Sequence, residues 1–303
     1  VTHRVAAIDC GTNSVRLLIA DTDGETLTDL RREMRIVRLG EGVDRTGRLS
    51  EAAIERTRVA LVEYAAMIAE LGADRIRMCA TSASRDAANA ADFTAMVRDT
   101  LGVEPEVVTG DEEARLSFTG AARGLTAEPP YLVVDIGGGS TEFVVGSTDV
   151  EAAISVDVGC VRMTERHLHS DPASTPELAA ALVDITGTVD RALAHVGGGR
   201  GVTLVGLAGS VTTVTAISLG LDGYDSSRVH HAVVPYADVA RVSAELAAAD
   251  HEERLAIPVM HPGRADVIVA GALILRTIME RTGADSVIAS ESDILDGIAW
   301  SLA

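Results

Sequence analysis

The chain has 303 residues, of which 47% are apolar and only 3% aromatic, and it carries a formal net charge of −19. That length allows two domains of ordinary size with cores of Ala, Val, Leu and Ile. The acidity disfavours nucleic acid and anionic membrane surfaces as partners, and no uninterrupted apolar run of about 18 residues marks a membrane span.

Val1-Thr2-His3-Arg4 leads straight into a buried strand at 4–9, with no apolar leader ahead of it, so a cytoplasmic protein is expected. The turn Cys10-Gly11-Thr12-Asn13-Ser14 separates this strand from a second at 15–20. Strands at 25–30 and 34–39 come next, then a helix over 51–71 that Ser50 caps and Gly72 stops. A strand at 75–79, a helix at 90–101 ended by Gly102, a short strand at 106–108 and a helix at 111–122 complete the first half.

The pattern then restarts. A strand at 131–135, the turn Ile136-Gly137-Gly138-Gly139-Ser140 and strands at 141–146 and 151–156 repeat the opening arrangement. A helix over 176–195, a glycine loop at 197–199, a strand at 202–207 and a helix at 211–219 follow. The last third reads as a strand near 229–234, helices near 236–249 and 264–282, a strand near 285–289 and a helix near 292–302. Asp9 and Asp135 head the two turns 126 positions apart. A period that long is not a solenoid. It predicts two duplicated α/β domains facing each other across a cleft, residues 1–120 and 121–303. The boundary falls near 118–125, and the last helix is free to pack back on the first domain.

Each turn places an Asp at the end of an apolar strand and follows it with small residues. Glycines let backbone N–H groups approach an anion, and Ser and Thr hydroxyls add donors. The phosphate-binding candidates are therefore Gly11, Thr12, Asn13 and Ser14 in the first loop and Gly137, Gly138, Gly139, Ser140 and Thr141 in the second. The strand-end Asp9 and Asp135 are placed to hold a cation that bridges phosphate oxygens. One such hairpin would be an ordinary turn; two matched copies point to function.

All 26 basic residues are arginine, so Schiff-base and P-loop lysine chemistry are excluded. Cys10, Cys79 and Cys160 are isolated and read as small buried side chains. The histidine pairs 167/169 and 230/231 lack a third ligand at zinc spacing. Thr109 and Glu112 fit a capping box, and acidic residues suit a first helical turn, so on physics alone Glu113 reads as structural.

The two hairpins resemble the phosphate loops of the actin, sugar-kinase and chaperone-ATPase superfamily, with its ribonuclease H-like fold. Within it, the chain resembles the exopolyphosphatase and guanosine pentaphosphate phosphohydrolase (Ppx/GppA) family. The carrying segments are AAIDCGTNSVRLLIAD (6–21), LGEGVDRTGRLS (39–50), ATSASRDAAN (80–89), TGDEEARLSFTG (109–120), LVVDIGGGSTEFVVG (132–146), GLAGSVTTVTAI (206–217) and MHPGRADVIVAGALIL (260–275).

The resemblance implies that Glu113 is the catalytic base that orients the attacking water. It places Asp135 and Glu142 in the metal and water site, with Mg²⁺, or Mn²⁺, as cofactor. Arg85 matches a segment near the phosphate site, and its guanidinium suits phosphate oxygens. Gly209 and Ser210 match the place where related kinases hold adenosine, where further phosphates could bind; a plain helix cap by Ser210 is the competing reading. His261 matches a segment near the cleft.

The expected substrate is inorganic polyphosphate, or alternatively guanosine pentaphosphate, cut at its terminal phosphoanhydride by direct water attack. A phosphotransferase and a non-catalytic phosphate-binding regulator are the other readings. A homodimer is expected. Longer relatives carry an extra C-terminal helical region that helps to hold polyphosphate, and Leu295 stands where the family segment often has Arg. Short chains and frequent release between cuts are expected on both grounds.

Overall fold

The computed structural model describes residues 2–199 and 201–303; Val1, at the start of the strand-like opening, lies outside the described residues. The chain divides into two compact units, residues 1–120 together with 294–303, and residues 121–293.

The first unit is built on five strands, β1 (His3–Cys10), β2 (Ser14–Thr22), β3 (Leu27–Ile36), β4 (Arg75–Ala80) and β5 (Glu106–Val107), in the order β3-β2-β1-β4-β5. β1 and β2 form an antiparallel hairpin, whereas β1, β4 and β5 run parallel. β1 is apolar on both faces because both are covered. Ala6 and Ile8 pack with Leu61 and Tyr64 of α2 (Glu51–Leu71) and with Phe93 and Val97 of α4 (Ala90–Leu101), after the short α1 (Val43–Thr46) and α3 (Ser82–Arg85). Their neighbours Val5 and Ala7 point the other way, as strand alternation requires. They meet Leu116 of α5 (Gly110–Ala122) and Ile294, Leu295 and Ile298 of the final helix, which runs from Ile294 to Trp300.

The second unit repeats the arrangement. Its strands are β6 (Tyr131–Ile136), β7 (Thr141–Gly146), β8 (Val150–Val156), β9 (Thr203–Leu207), β10 (Val233–Pro235) and β11 (Ser286–Ala289). The order β8-β7-β6-β9-β11 matches β3-β2-β1-β4-β5, with β10 added antiparallel at the edge. This is the duplicated α/β architecture expected from the sequence. The covering helices are α6 (Cys160–His167), α7 (Thr175–His195), α8 (Ala208–Ser218), α9 (Ser226–Val229), α10 (Tyr236–Ala248), α11 (His251–Leu255) and α12 (Ile268–Thr282); the final helix, α13, belongs to the first unit. Among the described residues no helix is long and apolar enough to cross a membrane.

Several element boundaries differ from the sequence reading. The strands expected at 25–30 and 34–39 are one strand, Leu27–Ile36, paired along the whole of β2. Its polar run Asp29 to Arg35 resembles a loop because β3 is an outer strand with no fully buried residue. The strand expected near 229–234 is a helical turn, Ser226–Val229, followed by the short β10. The helix expected from 264 begins at Ile268, after a 3-10 turn over Pro262–Arg264.

The anchoring of α13 is steric. A Cβ built on Gly297 would lie 2.0 Å from the Leu116 carbonyl oxygen and 2.7 Å from its carbon, all backbone of α5. Gly297→Ala should therefore lower stability by about 1–3 kcal/mol, the usual cost of overpacking. Chemical denaturation of the purified variant reads this directly, and an unchanged midpoint would show that α13 can shift freely.

Candidate active site

The two expected phosphate loops have one geometry. Gly11 N–H donates to the Ser14 carbonyl at 2.9 Å, and Gly137 N–H donates to the Ser140 carbonyl at 3.0 Å. Both loops leave the carboxyl end of the strand that heads its parallel set, where α/β sheets take ligands. Each is braced by the chain that follows the third strand. Val37 and Arg38 N–H groups donate to the Asn13 carbonyl, and Gly40 N–H to that of Thr12. In the second unit, Cys160 N–H donates to the Gly137 carbonyl, and Val161 and Arg162 N–H groups donate to that of Gly138. Gly40 and Gly159 make these approaches possible. A Cβ would lie 2.2 Å from Thr12 Cγ2 at the first and 2.4 Å from the Gly138 carbonyl at the second.

The hairpins differ in charge at one matched position. Register sets Asp9 opposite Arg16 and Asp135 opposite Glu142. Directly opposed residues share a sheet face, with Cβ atoms about 4.5–5.5 Å apart. In the first hairpin Arg16 donates to Asp9 Oδ2 from Nε at 3.0 Å and Nη2 at 2.6 Å. Arg16 thus supplies the positive charge that Asp9 was expected to find in a cation. In the second, two carboxylates face each other, Asp135 6% and Glu142 1% exposed. Ser155 Oγ donates to Glu142 Oε1 at 2.7 Å. Buried like charges at this spacing repel unless a proton or cation joins them.

That pair fits a hard divalent cation. Carboxylate oxygens suit Mg²⁺, which keeps several waters and completes its shell on substrate phosphate, so two protein carboxylates suffice. Among the described residues no cluster of three or more His, Cys, Asp or Glu could form a fuller cage.

Glu113 lies in the first turn of α5 and is 7% exposed. Half of the expected capping box is present, with Thr109 Oγ1 accepting from Glu112 N–H at 3.2 Å. The Glu112 carboxylate pairs with Arg77 at 3.1 Å instead of returning to the helix start. Arg85 does not project as a lone phosphate ligand: its Nη1 donates to Glu113 Oε2 and to the Val108 carbonyl, both at 3.0 Å. Arg85 closes α3, whose first residue, Ser82, shares a 2.9 Å hydroxyl bond with Thr12 of the first loop. One chain of contacts therefore links the first loop to Glu113 at the carboxyl ends of β1, β4 and β5.

In the second unit, α8 begins at Ala208 with Leu207 as N-cap, one turn before the expected start, so Ser210 is not the cap. Ala208 takes a left-handed φ of 69°, which turns the chain straight off β9 into the helix. Ser210 is buried and packed where a Cβ on Gly271 would come within 2.1 Å of its hydroxyl. Gly209 instead admits Arg264, whose guanidinium would lie 2.4 Å from a Cβ there and donates to Thr213 Oγ1 at 3.2 Å. His261 Nδ1 accepts from Gly263 N–H at 3.1 Å, and burial together with the Arg264 charge holds its imidazole below the usual range.

Known proteins decide the lineage. The model of the Ppx/GppA phosphatase family matches residues 18–303. The chain belongs to the Ppx/GppA phosphatase family. It is 50% identical to Exopolyphosphatase 2 of Mycobacterium tuberculosis across 99% of this chain and 98% of that protein. A solved exopolyphosphatase-like protein, 40% identical, superposes with a TM-score of 0.94 over 99% of this chain and 97% of that one. The crystal structure of the Aquifex aeolicus Ppx/GppA family member, 33% identical, gives 0.84 over 99% and 97%.

Within this Ppx/GppA chain, three features lay outside the sequence reading. Arg85 serves Glu113 over 28 positions, Arg264 settles on Gly209 over 55, and the α6 N-terminus braces the second loop. Arg85 and Arg264 each carried a signal, as the cationic members of segments already singled out, but their partners did not.

Proposed function

We propose that the chain is an exopolyphosphatase that hydrolyses the terminal phosphoanhydride of inorganic polyphosphate and releases orthophosphate. The observation that carries the chemistry is the second hairpin, where two buried carboxylates are opposed at the root of a glycine loop. The full-length likeness to the mycobacterial exopolyphosphatase supports the substrate.

In this reading the N–H groups of the second loop bind the oxygens of the transferring phosphoryl group. Asp135 and Glu142 hold Mg²⁺ or Mn²⁺, which when bound neutralises charge developing on the phosphate. Glu113, fixed by Arg85, orients a water and accepts its proton. Phosphoryl transfer needs little more than this positioning and charge neutralisation. A cytoplasmic setting and a homodimer belong to the same proposal. Three buried, unpaired thiols suit a reducing compartment, and light scattering reads the assembly mass.

Phosphate release should be compared on tripolyphosphate, long-chain polyphosphate and guanosine pentaphosphate, with and without chelator. Tripolyphosphate should be cut well, excess EDTA should abolish activity, and Asp135→Asn should raise the metal concentration at half-activity at least about tenfold. Full activity in chelator, or an unchanged metal titration, removes the metal role. Faster release from guanosine pentaphosphate would assign the other family substrate, and phosphate loss only with an acceptor present would mark a phosphotransferase. With a net charge of −19, phosphates beyond the site should gain little affinity, their field being screened over about 8 Å at physiological salt. A gel time course on long chains should show a gradual ladder of intermediates; full-length chains persisting beside free phosphate would show processive action.

A further inference from the structure

Three successive carbonyls of the second loop are turned toward α6. The Gly137 oxygen accepts from Cys160 N–H at 2.9 Å, and the Gly138 oxygen from Val161 at 2.8 Å and Arg162 at 3.1 Å. The Gly139 oxygen accepts from a side chain, Arg162 Nε, at 2.7 Å. In a trans peptide the N–H of the next residue points opposite to the carbonyl. The N–H groups of Gly138, Gly139 and Ser140 are therefore aimed away from α6, side by side. None of the three donates to another described residue. Such a row of N–H groups is an anion cradle.

The three anchors are not equivalent. Those on Gly137 and Gly138 are backbone N–H groups, which any sequence with this path supplies. The anchor on Gly139 depends on one side chain. Glycine accepts φ of either sign, so the Gly139–Ser140 peptide has little intrinsic preference for one face. If it flips, an N–H donor is replaced by a carbonyl oxygen facing a phosphate. The Arg162 side chain is only 12% exposed, and its 4.0 Å ion pair with Asp157 is with a carboxylate that is 78% exposed. Such a solvated pair contributes little, whereas the 2.7 Å bond to the Gly139 carbonyl is short and made by a side chain largely shielded from solvent.

We infer that Arg162 is a positioning residue for catalysis, holding the Gly139–Ser140 peptide so that the Ser140 N–H faces the phosphate; the inference rests on the phosphatase reading above. It does not itself touch substrate. Lysine would keep the charge but lacks a fixed planar Nε–H.

The test is tripolyphosphate hydrolysis with Mg²⁺ by wild type, R162A and R162K, with melting temperatures recorded alongside. R162A should lose about 10–100-fold in kcat/KM, mostly in kcat, somewhat less than the loss from deleting a preorganised donor outright. R162K should recover only a minor part. Added ethylguanidinium, well below denaturing concentration, should raise R162A activity at least threefold (about half a decade of the loss) without raising that of wild type. R162A within twofold of wild type overturns the inference and leaves the phosphatase reading standing. R162K at wild-type activity also overturns it, because charge alone would then suffice. Failure of ethylguanidinium to rescue a folded R162A counts the same way. If R162A does not fold, R162K decides alone. A wild type that neither binds nor cleaves tripolyphosphate overturns both readings.

Discussion

Glu113→Gln should lower kcat on tripolyphosphate by about 10²–10⁴-fold, the usual contribution of a positioned general base. Glutamine keeps the size of the side chain and an oxygen that can still accept from Arg85 Nη1, which stands 3.0 Å from Oε2. What is lost is the charge and the ability to take a proton. Because Glu113 is buried and its local bond is retained, the melting temperature should stay within a few degrees of wild type. Tripolyphosphate binding in single-turnover experiments should change far less than kcat. A loss below about tenfold, some 1.4 kcal/mol in barrier, would return Glu113 to the structural role that its place in the first turn of α5 also fits. Arg85 then has a clear part: it was expected on phosphate oxygens and instead holds the carboxylate at one angle.

Gly159→Ala should be nearly as damaging, from a residue with no functional group. Gly159 has φ −150° and ψ 163°, extended backbone that alanine adopts without strain. The obstacle is steric alone. The new methyl would lie 2.4 Å from the Gly138 carbonyl carbon and oxygen and 2.6 Å from Gly139 N. These are backbone atoms of the second loop and cannot rotate aside as a side chain can. The loop must move by several tenths of an ångström, and its N–H groups move with it. Loss of one aligned donor costs about 10²–10³-fold in rate, so kcat/KM should fall at least about 10²-fold. The overpacking should cost about 1–3 kcal/mol in stability. Gly187→Ala is the control in the same unit. Its methyl would meet nothing closer than Arg191 Nη1 at 3.8 Å, inside α7. There alanine should raise stability by about 0.5–1 kcal/mol through helix propensity and leave activity unchanged. If Gly159→Ala lowers the melting temperature but keeps full activity, the second loop is not where the strain goes.

Much of this protein is local and was readable as sequence. The hairpins, the long α2 with its Ser50 cap and Gly72 stop, and the 126-residue recurrence of strand–Asp–small turn all follow from side-chain periodicity and turn chemistry, which need only a few neighbouring residues. The candidates Asp135, Glu142 and the glycines between them fall within one hairpin, so their proximity is also local. What the sequence left open depended on chain path. Short helices such as α3 and α6 span four and eight residues, too few to show a period. The polar β3 shows no alternation because it is an outer strand. The partners that give the site its character are distant: Arg85 and Glu113 are 28 positions apart, Gly139 and Arg162 are 23 apart, and Gly209 and Arg264 are 55 apart. Register, set by two equal turns, decided that Asp9 meets an arginine and Asp135 meets a glutamate. Sequence periodicity determines which face a residue takes; only the packed backbone determines which charge it finds there, because that neighbour is delivered by another strand or helix.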